Sequence, residues 1–163
     1  MKLGELVTVR GGKRLPKGIM LTPEKTSHPY ITVKNLDPYK TQLTDSFEYV
    51  PDEVFPSISH YVVNADDVVI SIVGTIGRVS IIGETLNGAS LTENCAKLEP
   101  KQGILSKYLF YFLSSPAGQA RIQQGIVGTT QPKLPFYNIE GISVSLPPLA
   151  EQHHIVDAMQ SRS

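Results

Sequence analysis

Two β-branched runs, Asp67-Val-Val-Ile-Ser-Ile-Val-Gly74 and Arg78-Val-Ser-Ile-Ile-Gly83, are separated only by the turn-forming Gly74-Thr75-Ile76-Gly77. Branched Cβ atoms lower helix propensity and suit a pleated, buried surface, so this stretch predicts a buried β-hairpin. Tyr30-Ile-Thr-Val-Lys34 alternates apolar and polar up to Asn35 and Asp37-Pro38, and Cys95-Ala-Lys-Leu-Glu99 does so up to Pro100, predicting two further strands. From Ser106, a plausible N-cap, the period changes. Leu105, Tyr108, Leu109, Phe112 and Leu113 recur at helical spacing until Pro116, which itself can open a second helix to Gln124 before Gly125 stops it. A polar loop, Gly125 to Lys133, is followed by a short strand, Gly141-Ile-Ser-Val-Ser-Leu146. A last amphipathic helix spans Leu149 to Gln160, with Leu149, Val156 and Met159 on one side. Strands come early and helices late, without regular alternation, which indicates an α+β fold.

The chain has 163 residues, the size of one ordinary domain. Its uncharged stretches hold too few apolar residues for a bilayer, which needs about 20, and Glu5 stands where a signal peptide would place its apolar core. A cytoplasmic protein without a membrane span is expected. Cys95, the single cysteine, has no internal disulfide partner, and four histidines without cysteine partners make no zinc set. The net charge is zero, but it is unevenly placed. Residues 1–34 carry seven basic side chains against two acids, residues 37–67 carry seven acids against Lys40, and residues 100–139 carry Lys101, Lys107, Arg121 and Lys133 with no acid. A fold that joined the first and third segments would own a basic face; otherwise these are only solvated charges.

Catalytic templates fail. Gly11-Gly12-Lys13-Arg14-Leu15-Pro16-Lys17-Gly18 lacks the Gly-Lys-Ser/Thr ending of a phosphate loop, and Gly74-Thr75-Ile76-Gly77 lacks both the third glycine and the strand-to-helix context of a dinucleotide fingerprint. Leu36-Asp37-Pro38-Tyr39 faintly resembles the Asn/Asp-Pro-Pro-Tyr motif of amino-methyltransferases but lacks the second proline and a preceding cofactor loop, so a plain turn is expected. His153-His154 has no Glu at metalloprotease spacing, no serine sits in Gly-x-Ser-x-Gly, and Cys95 falls in a strand pattern where a small buried thiol is usual.

Read in order, the motifs resemble the target recognition domain of type I restriction-modification specificity subunits. They are Leu6-Val-Thr-Val-Arg10-Gly11-Gly12, then Tyr30-Ile31 to Asn35-Leu36-Asp37, the strand and turn Asp67 to Gly77, and Asn94 before a strand. The helix bearing Tyr108-Leu109-Phe110-Tyr111-Phe112-Leu113, then Gly128-Thr129-Thr130-Gln131-Pro132-Lys133-Leu134, and the closing Ile142 to Ile155 around Pro147-Pro148-Leu149-Ala150-Glu151-Gln152 complete the set. The resemblance implies a twisted, mostly antiparallel sheet with several short helices. Residues 1–148 form the recognition domain, and 149–163 begin a helical spacer or dimerisation helix. It further implies a non-catalytic subunit that reads one half of a bipartite duplex DNA target. Methyltransferase subunits, and restriction subunits where present, are directed to the site. The S-adenosylmethionine, Mg and ATP belong to those partners, and the chain itself carries no cofactor or metal. Family members carry two such domains joined by long helices, whereas one is present here, so a half subunit, an isolated domain or a silent cassette is expected. Alternatives are an inactive cassette that binds methyltransferase subunits without reading DNA, and a degenerate amino-methyltransferase fragment.

Reading a duplex calls for cations on phosphates and for amides, hydroxyls and arginines on base edges. Lys13 and Lys17 are the candidate phosphate contacts of the glycine-bearing first loop, with Arg14 as a guanine reader; the plain alternative is a solvated loop. Thr129, Thr130, Gln131 and Lys133 form the second candidate set, in which Gln131 can pair with adenine and Pro132 stiffens the loop. Lys34, Thr75 and Arg78 rank after these. Leu149, Gln152, Val156 and Met159 are the candidate contacts of the last helix with a methyltransferase subunit or a second copy, against local packing as the alternative.

Overall fold

The structure, a computed structural model, describes residues 1–162. Its strands are β1 (Val7–Gly11), β2 (Pro29–Ile31), β3 (Lys40–Thr41), β4 (Glu48–Tyr49), β5 (Val68–Ser71), β6 (Val79–Ile82), β7 (Ser90–Leu91) and β8 (Cys95–Pro100). The helices are α1 (Ser106–Ser114), α2 (Pro116–Gln124), α3 (Phe136–Glu140) and α4 (Leu149–Ser161). Two open sheets form rather than one. The larger has the order β1-β8-β5-β6-β3, antiparallel except where β3 runs parallel to β6, and the smaller has the order β4-β2-β7.

The β-branched runs pair as β5 and β6 in the centre of the larger sheet, with Val68 opposite Ile81 and Ile70 opposite Val79, and all eight strand residues are buried. Alternation sends Val68, Ile70, Ala96 and Leu98 into a core shared with Leu109, Leu113 and Ile122 of the helices. Val69 and Cys95 go the other way, against Ile31, Leu86 and Leu91 beneath the smaller sheet. The larger sheet is thus covered on both faces, which explains its near-continuous apolar runs.

Three sequence expectations change. The strand from Tyr30 ends at Ile31, because Asn35 Oδ1 accepts both the backbone N–H and the hydroxyl of Thr32 (2.8 Å each) and closes a 3-10 turn over Val33–Asn35. Lys34 therefore sits in a turn. Ser106 does not cap α1; its hydroxyl donates to the Asp66 carbonyl (2.7 Å). Residues 141–146 form no strand, only a bridge from Ser143 to Lys2, because their backbone pairs with the first residues of the chain and with the end of the preceding helix, and Pro147-Pro148 follow. In addition, α3 occupies the stretch between the polar loop and residue 141, where the sequence carries no helical period. Where α2 folds back on α1, a Cβ at Gly118 would lie 2.0 Å from the Phe112 carbonyl oxygen, so only glycine permits this corner.

A polar ladder crosses β1 and β8. Glu99 accepts from Arg10 Nε (2.8 Å) and from Lys97 Nζ (3.4 Å), and Lys97 is only 6% exposed. Burial alone would raise the Glu99 carboxyl, but the Arg10 hydrogen bond and the Lys97 charge together outweigh it and hold the group below its ordinary value. A carboxyl lowered by folding contributes stability present above the ordinary carboxylate range and lost as pH falls through its folded value. Glu99→Gln is therefore expected to lower the thermal midpoint at neutral pH, because Lys97 loses its countercharge. Melts at pH values below the carboxylate range should bring variant and wild type together; a constant gap at all pH values would show that packing, not charge, sets the difference.

Candidate nucleic-acid interface

Register places the candidate loops at one end of the larger sheet. Gly11 lies opposite Ala96, Ser71 opposite Cys95 and Ile70 opposite Val79. The chain leaving β1, entering β8 and crossing from β5 to β6 therefore emerges on the same side, and the parallel pairing of β3 with β6 brings Asp37 and Pro38 there as well. At about 4.8 Å between strands, this end is roughly 19 Å from edge to edge, wider than the roughly 12 Å major groove.

At the β1 edge the first loop is anchored before its cations begin. Gly12 approaches so closely that a Cβ would lie 2.0 Å from the Thr92 carbonyl oxygen, Lys13 N–H donates to the Leu91 carbonyl (2.8 Å), and Tyr30 Oη donates to the Lys13 carbonyl (2.8 Å). The Lys13 ammonium stands 5.8 Å from the Tyr61 ring centroid. Arg14 Nε lies 3.4 Å from Glu93 Oε2. Lys17 continues along the flank of the smaller sheet, sharing a cavity of about 330 Å³ with Ser57 and Ile58.

In the centre, Ser71 ends β5 by donating its hydroxyl to the Thr75 carbonyl and accepting from Arg78 N–H (2.9 Å). Lys133 bridges to both Val73 and Val127, which fastens the exposed turn Thr129-Thr130-Gln131-Pro132 beside Gly74-Thr75. At the β3 edge, Arg78 Nη1 donates to the Val33 carbonyl (3.3 Å), and Lys34, Asp37, Arg78, Ser114 and Gln119 line a cleft of about 520 Å³. Lys13, Arg14, Lys34, Thr75, Arg78, Thr129, Thr130, Gln131 and Lys133 thus converge on one end, with Lys17 to the side. Cations from both the N-terminal segment and residues 100–139 meet here. Among the described residues, Lys13, Lys17, Lys34, Arg78 and Lys133 form no ion pair with a carboxylate.

Glu93 and Tyr61 join this set without having been singled out in the sequence. The polar turn Thr92-Glu93-Asn94 before β8 was the available signal for Glu93; Tyr61 had none. The catalytic alternatives lose their residues. Cys95 is fully buried and its thiol is pushed up to about 12 by burial, so it is not a nucleophile. Tyr39 of the Asp-Pro-x-Tyr stretch packs on Phe110 and Tyr111, and its hydroxyl accepts from Gln160 Nε2 (2.9 Å), which makes it part of the framework.

On α4 the candidate contact face is divided. Gln152 is fully buried and Val156 nearly so, both against the domain, whereas Leu149 and Met159 are 44% and 37% exposed. Gln152 is therefore not a partner contact. Its Oε1 accepts from Leu105 N–H (2.9 Å), and its Nε2 donates to the Gly103 (2.8 Å) and Pro147 (2.9 Å) carbonyls. Ser163, the last residue of the expected helical segment, lies outside the described residues.

Over residues 1–162 the chain matches the family described as the Type I restriction modification DNA specificity domain, and it belongs to that family. Among particular relatives, the Type I restriction enzyme EcoBI specificity subunit of Escherichia coli is 32% identical over 95 residues, which are 58% of this chain and 20% of that protein. A chain from a structure of a type I R-M system, concerned with complex assembly and conformational transition, superposes with a TM-score of 0.74 at 19% identity, covering 99% of this chain and 38% of that one. The S subunit from M. genitalium gives a TM-score of 0.69 at 16% identity, covering 99% of this chain and 37% of that one. The HsdS subunit from Thermoanaerobacter tengcongensis also gives 0.69, at 17% identity, covering 99% and 36%. The chain spans a fifth of the curated relative's length and under two fifths of the solved ones. The shared α+β fold extends over essentially the whole chain. Among the described residues no helix is long and apolar enough to cross a membrane.

Proposed function

We propose that this chain recognises one half of a bipartite duplex DNA target, as all or half of the specificity component of a type I restriction-modification system. It directs methyltransferase subunits, and restriction subunits where they join, to the site. The observation that carries this reading is the convergence of loops from distant parts of the chain on one sheet end, bearing unpaired cations beside threonines and an exposed glutamine. Cations and hydroxyls are the groups that position phosphates, and glutamine and arginine those that read base edges. The role is recognition without catalysis, with S-adenosylmethionine, Mg and ATP held by the partner subunits. Leu149 and Met159, on the outward side of α4, are the contacts offered to a methyltransferase subunit or to the helix of a second copy.

Co-expression with a type I methyltransferase subunit that binds the chain, followed by mapping of N6-methyladenine across the host genome, tests the proposal. A bipartite motif that disappears when the chain is omitted is the expected result, and a palindromic one identifies two copies acting as a pair. Absence of new methylation, with a folded chain still bound to the methyltransferase subunit, would replace the proposal by the silent-cassette reading.

A further inference from the structure

Glu93 Oε2 is buried and accepts no hydrogen bond among the described residues, although Arg14 Nε stands 3.4 Å away. An acceptor withdrawn from water without a hydrogen bond is costly, more so when it is charged, and native proteins leave few of them. The backbone holds it there. Thr92 N–H donates to the Ile31 carbonyl (3.0 Å), Cys95 N–H to the Thr92 carbonyl (3.2 Å), and Asn94 N–H to the Thr92 hydroxyl (3.3 Å). Across the gap, Gly12 packs against that same turn, and Lys13 is bonded through both its N–H and its carbonyl, so the Arg14 backbone starts from a fixed point. The Glu93 side chain is 36% exposed and the Arg14 side chain 78%. The pair is arranged with the carboxylate inside and the guanidinium reaching outward.

We infer that Glu93 is a positioning residue for Arg14: it grips the Nε side of the guanidinium and aims the Nη fork out of the sheet end, toward the O6 and N7 acceptors of a guanine. The inference rests on the DNA-reading function proposed above and deepens it. Arginine is a planar fork with five fixed donors, and a bidentate reader gains discrimination only if the fork's plane is set before contact. Glu93 sets that plane. Its negative charge also weakens attraction to phosphates in general, so the pair trades non-specific affinity for base preference.

The test binds the full chain to a pool of duplexes of randomised sequence at fixed salt and sequences the bound fraction for wild type, Glu93→Gln, Arg14→Ala, Arg14→Lys and the Glu93→Gln/Arg14→Ala double variant. Wild type is expected to enrich guanine at one position. Arg14→Ala and Arg14→Lys abolish that enrichment while leaving the other positions intact. Glu93→Gln, which keeps the shape but removes the charge, reduces it roughly tenfold while raising affinity for the unselected pool, and the double variant matches Arg14→Ala. Glu93→Gln with undiminished guanine enrichment overturns the inference, as does a further loss on the Arg14→Ala background, which would make Glu93 a reader in its own right. Should Glu93→Gln melt early, Glu93→Asp replaces it: the carboxylate is kept but drawn back by one methylene from Arg14 Nε, so guanine enrichment is expected to fall, and undiminished enrichment overturns the inference. A flat wild-type profile at every position would refute the recognition function, and a profile with no Arg14-dependent guanine would refute this inference only.

Discussion

Replacing Gln152 by leucine is expected to lower the thermal midpoint by roughly 4–8 °C, the largest single-residue effect we foresee. The substitution keeps the volume of a fully buried side chain but orphans three backbone groups at once, the Leu105 N–H and the carbonyls of Gly103 and Pro147. Gly103 is exposed and its carbonyl can turn to water, whereas the Leu105 N–H and the Pro147 carbonyl belong to half-buried residues; at the lower end of the roughly 1–3 kcal/mol cost of an unpartnered buried polar group these two total about 2 kcal/mol, and for a chain of this size each kcal/mol is worth about 2–4 °C. The three groups belong to the loop before α1, the α1 N-terminus and the Pro-Pro entry to α4, so one amide ties together the start of both helices. The Leu105 carbonyl begins α1 by accepting Leu109 N–H (2.9 Å), and no side chain caps that end. Hydrogen exchange should accordingly accelerate in the first turns of α1 and α4 before the central strands open. A midpoint within about 2 °C of wild type would show that water replaces the amide and that apolar packing alone holds α4 down.

That role was not visible in the sequence, and the reason is physical. Gln152 falls on an apolar-periodic helix at the spacing of a pairing seam, where periodicity places it on the inner face but says nothing about which neighbour lies there. The central hairpin was legible because eight branched or small residues in two runs leave few alternatives to a doubly covered strand pair. Short strands such as β3, β4 and β7, two residues each, carry no period of their own and exist only through their neighbours. The turn at Lys34 was misread as strand because the apolar alternation continues through it, while the deciding interaction is the side chain of Asn35 returning to Thr32. Ser106 shows the converse: a residue type that caps helices in general was instead claimed by a carbonyl 40 residues away. For the candidate interface, loop composition identified the cations and amides, since glycine, lysine and threonine in a polar segment have local meaning. The sheet register that assembles them does not, and neither does the pairing of Glu93 with Arg14, which come from opposite edges of a loop crossing.

The convergence of those loops also sets the size of the last effect. Lys13, Lys34 and Lys133 lie at the β1 edge, the β3 edge and the centre of the sheet end, all exposed and none paired with a carboxylate among the described residues. If each neutralises one phosphate, changing all three to alanine removes three contacts, and the salt slope should fall by roughly 2.7, at about 0.9 per phosphate. At about 0.15 M salt the same relation weakens binding to every duplex by roughly two orders of magnitude. Folding stability should barely move, because exposed substitutions away from buried networks stay within about 0.5 kcal/mol. Phosphate contacts carry no sequence information, so the profile of bases selected from a randomised pool should keep its shape while total binding collapses. Lys17 provides the internal comparison: it stands beside Ser57 and Ile58 on the flank of the smaller sheet, and Lys17→Ala should shift the slope by less than any of the three. Titrations over a range of salt concentrations decide the matter. A triple variant with an undiminished slope, or Lys17→Ala with the larger effect, would move the DNA away from the sheet end and onto the outer face of the smaller sheet.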